Sequence, residues 1–161
     1  MKSPDYVSSV NKTYSKTFSK NQYIPKILPK FVEKDKTILD FGAGVDAFGT
    51  TALREKGYKV TAYEIGNNYN PTIHDIHALN RKYDVVFCSN VINVQPSRSA
   101  ISSLIKKLKG RLKPNGKLIF NYPASPRKST ATVAEIDLYV KGQFSQVTRI
   151  ASSPPTWMCI V

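Results

Sequence analysis

Two stretches decide the fold: Thr37-Ile-Leu-Asp-Phe-Gly-Ala-Gly44, and Lys59-Val-Thr-Ala-Tyr-Glu64 shortly after it. Ile38, Leu39 and Phe41 form a short apolar run that stops at two glycines one residue apart. A buried parallel strand ends this way when its turn must bring the backbone close to a ligand. Ala47 to Lys56 is expected to be helical, with Asp46 as N-cap and Gly57 in the C′ position. Lys59 to Ile65 reads as a second buried strand. Glu64 stands at its carboxyl end, 20 residues beyond Gly44. In an open α/β sheet an acid there accepts hydrogen bonds from the hydroxyls of a bound ribose. The unit therefore predicts a site for a nucleoside-containing cofactor.

The rest of the chain continues the pattern. Ile24, Ile27, Leu28, Phe31 and Val32 recur at helical spacing, broken into short pieces by Pro25 and Pro29. A loop from Gly66 to Pro71 leads to a third strand, short at best. A fourth strand is expected at Asp84–Ser89, an amphipathic helix on Ile101, Leu104, Ile105, Leu108 and Leu112, and a fifth strand at Lys117–Tyr122. A helix near 131–141 follows, then two strands (about 145–151 and 156–161) either side of the turn Ser-Ser-Pro-Pro. Strands alternating with helices imply a parallel sheet, and the terminal pair adds an antiparallel edge.

Asp40-Phe-Gly42-Ala43-Gly44 resembles motif I of the class I S-adenosylmethionine (SAM)-dependent methyltransferases. Tyr83-Asp-Val-Val-Phe-Cys-Ser89-Asn90 is similar to that family's fourth strand and the residues after it. Leu112-Lys-Pro-Asn-Gly116-Lys-Leu-Ile-Phe120 is similar to its turn into strand five. The resemblance covers roughly residues 21–161 and implies a doubly wound, mostly parallel seven-stranded sheet with an antiparallel C-terminal hairpin. It implies SAM as cofactor, with Asp40, Gly42, Ala43 and Gly44 at the methionyl part and Glu64 and Ile65 at the ribose. Asp75 and Ile76 fall where an acid meets the adenine amino group, and Ser89 and Asn90 face the methyl group. An NAD site uses a similar turn and acid, but Gly42-x-Gly44-x-x-x-x-Gly49 misses the Gly-x-Gly-x-x-Gly fingerprint by two residues.

Charge is the second signal. The chain has 24 Lys and Arg against 11 Asp and Glu, a net charge of +13. Arg98 to Lys128 holds nine basic residues and no acid, and residues 1–36 hold eight lysines against three acids. Such a balance draws polyanions, so a nucleic acid or nucleotide-type anion is the expected acceptor. Lys106, Lys107, Lys109, Arg111 and Lys113 read as a solvated helix face. Arg127 and Lys128 follow strand five, at the ligand edge. Residues 1–20 read as a mobile basic and aromatic arm: Lys12, Lys16 and Lys20 interleave with Tyr14 and Phe18, the pattern of a phosphate-and-stacking segment or of a soluble tail.

Methyl transfer needs a nucleophile lined up behind the sulfonium methyl in a dry pocket. Asn90, Asn93 and Tyr122 are the candidate acceptor contacts. Amino-methylating DNA enzymes carry an Asp/Asn/Ser-Pro-Pro-aromatic motif after strand four; this chain keeps only Asn90 of it. Cytosine C5 methylation is disfavoured, because Cys88 lies inside the strand without a preceding proline. His74, Asp75 and His77 make a weak metal set, and no metal is expected. Two alternatives stay open beside the nucleic-acid reading: a small-molecule methyltransferase, and a SAM-binding protein that transfers no methyl group. Cys88 and Cys159 on buried strands suggest free thiols in a reducing cytoplasm. No membrane span or signal-peptide core is expected, and the sequence leaves the oligomeric state open.

Overall fold

The computed structural model describes residues 23–124 and 131–161. Helix α1 (Tyr23–Ile27) opens it, followed by strand β1 (Thr37–Phe41), helix α2 (Phe48–Glu55) and strand β2 (Lys59–Tyr63). Then come β3 (Tyr83–Cys88), α3 (Arg98–Lys109), β4 (Leu112–Asn121), α4 (Val133–Gln143), β5 (Gln146–Ser152) and β6 (Pro155–Ile160). The sheet order is β2-β1-β3-β4-β6-β5. The first four strands are parallel; β6 runs antiparallel to both β4 and β5.

The strands alternate their apolar side chains between two cores. Leu39, Val86, Cys88, Leu118 and Phe120 face Ile101, Ile105 and Leu108 of α3 and Ile136 and Val140 of α4. Ile38, Val85, Phe87 and Ile119 face Ile24 of α1, Leu28 just after it and Leu53 of α2. Near-continuous apolar strands are what a parallel sheet covered on both sides requires. Ser97 caps α3 by accepting from the Ala100 N–H at 3.1 Å. Thr132 and Glu135 form a capping box on α4, and Glu135 also pairs with Arg98 of α3.

Among the described residues the sheet has six strands rather than seven. Where the short third strand is expected, residues 66–80 form 3₁₀ turns at Gly66–Asn68 and Ala78–Asn80. One ladder-like bond survives, from the Asp75 N–H to the Ala62 carbonyl at 2.9 Å. Pro71 and two neighbouring asparagines favour turns over extension there. Asp46 is not the cap of α2. That position belongs to Ala47, with φ of 46° and no side-chain bond. Gly57 does take the left-handed C′ conformation, with φ of 95°. The 1–20 arm and Arg127 and Lys128 lie outside the described residues.

Candidate functional site

Gly42 and Gly44 follow β1 with φ of 73° and 86°, a region L side chains rarely adopt. A Cβ on Gly42 would also lie 2.6 Å from Cγ2 of Val91. The turn is fastened from below by β2, since the Gly42 and Ala43 N–H groups both donate to the Tyr63 carbonyl at 3.0 Å. Glu64 is buried, and its carboxylate accepts from the Gly44 N–H at 2.8 Å and from the Ile65 N–H at 2.9 Å. His74 completes the brace. Its Nδ1 accepts from the Asn70 N–H at 2.9 Å, which leaves the ring proton on Nε2, 2.7 Å from the Gly44 carbonyl. Both sides of the Gly44 residue are thus held by side chains that come from loops after β2.

Asp40 is 1% exposed, with Thr50 Oγ1 donating to its Oδ2 at 2.7 Å. Its Oδ1 has no partner among the described residues. Burial pushes its carboxyl up to about 7; the bond from Thr50 works against this and the nearby Glu64 charge adds to it. Ser89 Oγ, just past the end of the adjacent strand β3, and Asn93 Oδ1, in the 3₁₀ turn Ile92–Val94 that follows, are also buried without a partner among the described residues. Each of these three polar atoms, closed to solvent and without a partner among the described residues, carries a desolvation cost that a water or a polar ligand would offset.

Asn90 is differently placed. It adopts φ of 58°, and its side-chain carbonyl accepts from the Asn121 amide at 2.7 Å. The Asn90 N–H donates to Asn121 Oδ1 at 2.8 Å. This reciprocal pair ties the turn after β3 to the end of β4. Tyr122 is fully buried, its hydroxyl donating to the Ala131 carbonyl at 2.7 Å. Asp75 accepts from Arg81 and from the His77 N–H, both at 2.8 Å, and its carboxyl sits below the usual range chiefly because of Arg81. Ile65 and Ile76 are exposed apolar side chains beside these loops, Ile76 at 63%. Burial drives the Cys88 thiol well above its ordinary value, so it is no thiolate nucleophile. Among the described residues no group of three or more His, Cys, Asp or Glu side chains is placed to hold a metal.

Sequence reasoning missed the brace by His74, the support of Asp40 by Thr50 and the pairing of Asn90 with Asn121. A buried polar residue at the end of an apolar strand, as Asn121 is in Leu-Ile-Phe-Asn, was the available signal for the last of these.

A model of the methyltransferase domain matches residues 15–151, and the chain belongs to that family. Among curated protein sequences none matches it. The fold is similar to TehB from Haemophilus influenzae (18% identity, TM-score 0.59, 94% of this chain and 65% of that one). It is similar to YjhP from E. coli (16% identity, TM-score 0.58, 92% and 73%). It also resembles magnesium protoporphyrin IX methyltransferase from Synechocystis with bound SAH, at 12% identity and TM-score 0.61, over 97% and 84%. The sheet is that of a class I methyltransferase. The chain spans 65% of the length of TehB.

Proposed function

We propose that this chain binds SAM across the carboxyl ends of β1, β2 and β3 and transfers its methyl group to an anionic acceptor, a nucleic acid or nucleotide-type molecule. The observation that carries the cofactor reading is the left-handed Gly42–Gly44 turn pinned on Glu64, beside three unpartnered polar atoms on Asp40, Ser89 and Asn93. Those groups fit the cofactor chemically. Asp40 would hold its amino-acid end, Glu64 retains lone pairs for ribose hydroxyls, and Ile65 and Ile76 offer apolar contact to adenine. When bound, the cofactor supplies a methyl group on a sulfonium that is already a good leaving group. The chain's own task is then to bind, orient and exclude water. Ser89 to Asn93 form the wall an acceptor would meet.

The acceptor class rests on the net charge of +13, which raises the local concentration of anions. A small-molecule acceptor is the second reading, favoured by the Synechocystis neighbour, whose name gives a porphyrin substrate. Calorimetry with SAM, followed by tritiated-methyl transfer to nucleic acid, nucleotides and other small metabolites, tests both parts. Binding with label on the nucleic-acid or nucleotide pools is expected. Label only on the other small metabolites would overturn the acceptor reading, and no heat with SAM would overturn the cofactor reading.

A further inference from the structure

A cavity of about 500 Å³ opens at the amino ends of the strands, on the opposite edge of the sheet from the glycine turn. Thr37, Lys59 and Tyr83, which line it, begin β1, β2 and β3. At about 3.3 Å per residue, a five-residue strand puts it roughly 15 Å from the cofactor edge. Among the described residues its cations are Arg54, Lys59, Arg81, Lys82 and Lys113, drawn from four separate places in the fold, and no carboxylate lines it.

Each cation has a definite state. Arg54 is aimed by two bonds to the Val60 carbonyl, at 2.9 and 2.6 Å, a neutral partner that leaves its charge intact. Arg81 pairs with Asp75 and Lys113 lies 3.6 Å from Asp84. Lys59 and Lys82 have no ion pair among the described residues. Five cations less the two rim carboxylates leave an excess of three positive charges around one concavity. Tyr58 and Tyr83 are 7% and 2% exposed and their hydroxyls are spent on the Val32 and Ala78 carbonyls. They offer no stacking platform, which a strand of nucleic acid would use.

We propose that this cavity is a binding site for a small anion carrying two or three consecutive phosphates, recognised by charge and not by a base. Several fixed and adjustable cations converging on one volume suit clustered phosphate oxygens. The site is separate from the cofactor edge and its occupation does not depend on methyl transfer. Inorganic triphosphate, titrated by calorimetry in magnesium-free buffer at about 0.15 M salt, where screening confines exposed charges to roughly 8 Å, is the probe. The Lys59→Glu/Lys82→Glu variant should bind it at least about tenfold more weakly than the wild type, each lost charge-assisted contact counting. Both side chains are exposed, so its melting temperature should hold. The control variant Lys26→Glu/Lys106→Glu makes the same charge change on exposed helix positions and should bind within about twofold of wild type. The site is refuted if the wild type does not bind triphosphate. It is refuted equally if both variants lose the same affinity, which marks a diffuse field, or if only a single-stranded oligonucleotide binds.

Discussion

At the ends of β1 and β2 nearly every polar group of the candidate site is held by another part of the chain. Just past the end of β3, Ser89 Oγ and Asn93 Oδ1 are held by none among the described residues. Glu64 and His74 grip Gly44 from both sides, so the cofactor half is built before any ligand arrives. That pre-organisation lowers the ordering cost of binding. On the acceptor half the Asn90–Asn121 pair fixes the turn, and Gln95 Nε2 donates to the Val91 carbonyl at 3.0 Å just beyond it. Asp40 shares both characters: one oxygen is engaged by Thr50 and the other is left over.

The contrast breaks most sharply at the glycine turn. Gly44→Val should lower SAM affinity by roughly 100-fold or more, through left-handed backbone strain and a filled approach. Calorimetry showing unchanged affinity would mean the turn is only structural.

Asp40 gives the next largest effect, on stability. Its folded carboxyl titrates near 7 against an ordinary value of 3.8. The folded state therefore binds the proton more tightly, and stability falls as pH rises from about 4 through about 7, then levels off. The loss amounts to at most roughly 4 kcal/mol. Asp40→Asn removes the titration, so its melting temperature should vary less over that range than the wild type's. Parallel curves would show that Asp40 is not buried as an acid.

Glu64→Ala should weaken SAM binding by about 1.5–3 kcal/mol, since it removes a charged acceptor from two backbone N–H groups and from the ribose. An unchanged binding heat and affinity would detach the acid from the cofactor.

The smallest effect sharpens the acceptor half. Asn90→Ala and Asn121→Ala should each cost about 1 kcal/mol of stability, and the double variant little more than either. If Asn90 also touches the acceptor, its variant loses turnover well beyond that of Asn121→Ala at equal SAM affinity. Equal turnover in the two variants assigns Asn90 to the clamp alone.

The cofactor half was the more legible one in the sequence. Gly-x-Gly after an apolar run, and an acid ending the next strand, are local patterns, and the strand order follows from their alternation with helices. The 3₁₀ turns that stand where a short third strand was expected were not legible, because a weak apolar pattern in the 66–80 segment competes with its turn-forming residues. Nor was the brace: His74 reaches Gly44 across 30 residues, and no spacing rule encodes a contact between two loops. Asn90 was read as an acceptor contact by its place at a strand end, yet its carbonyl meets Asn121, 31 residues away. Side-chain partners set by tertiary packing leave little trace in a single chain.

A crystal structure with S-adenosylhomocysteine tests the central claim most directly. The account predicts the ribose hydroxyls on Glu64, the amino-acid end against Gly42–Gly44 and Asp40, and the sulfur facing Ser89–Asn93, with the turn itself unmoved. A ligand bound elsewhere, or a glycine turn that must rebuild to admit it, would contradict a cofactor half assembled in advance.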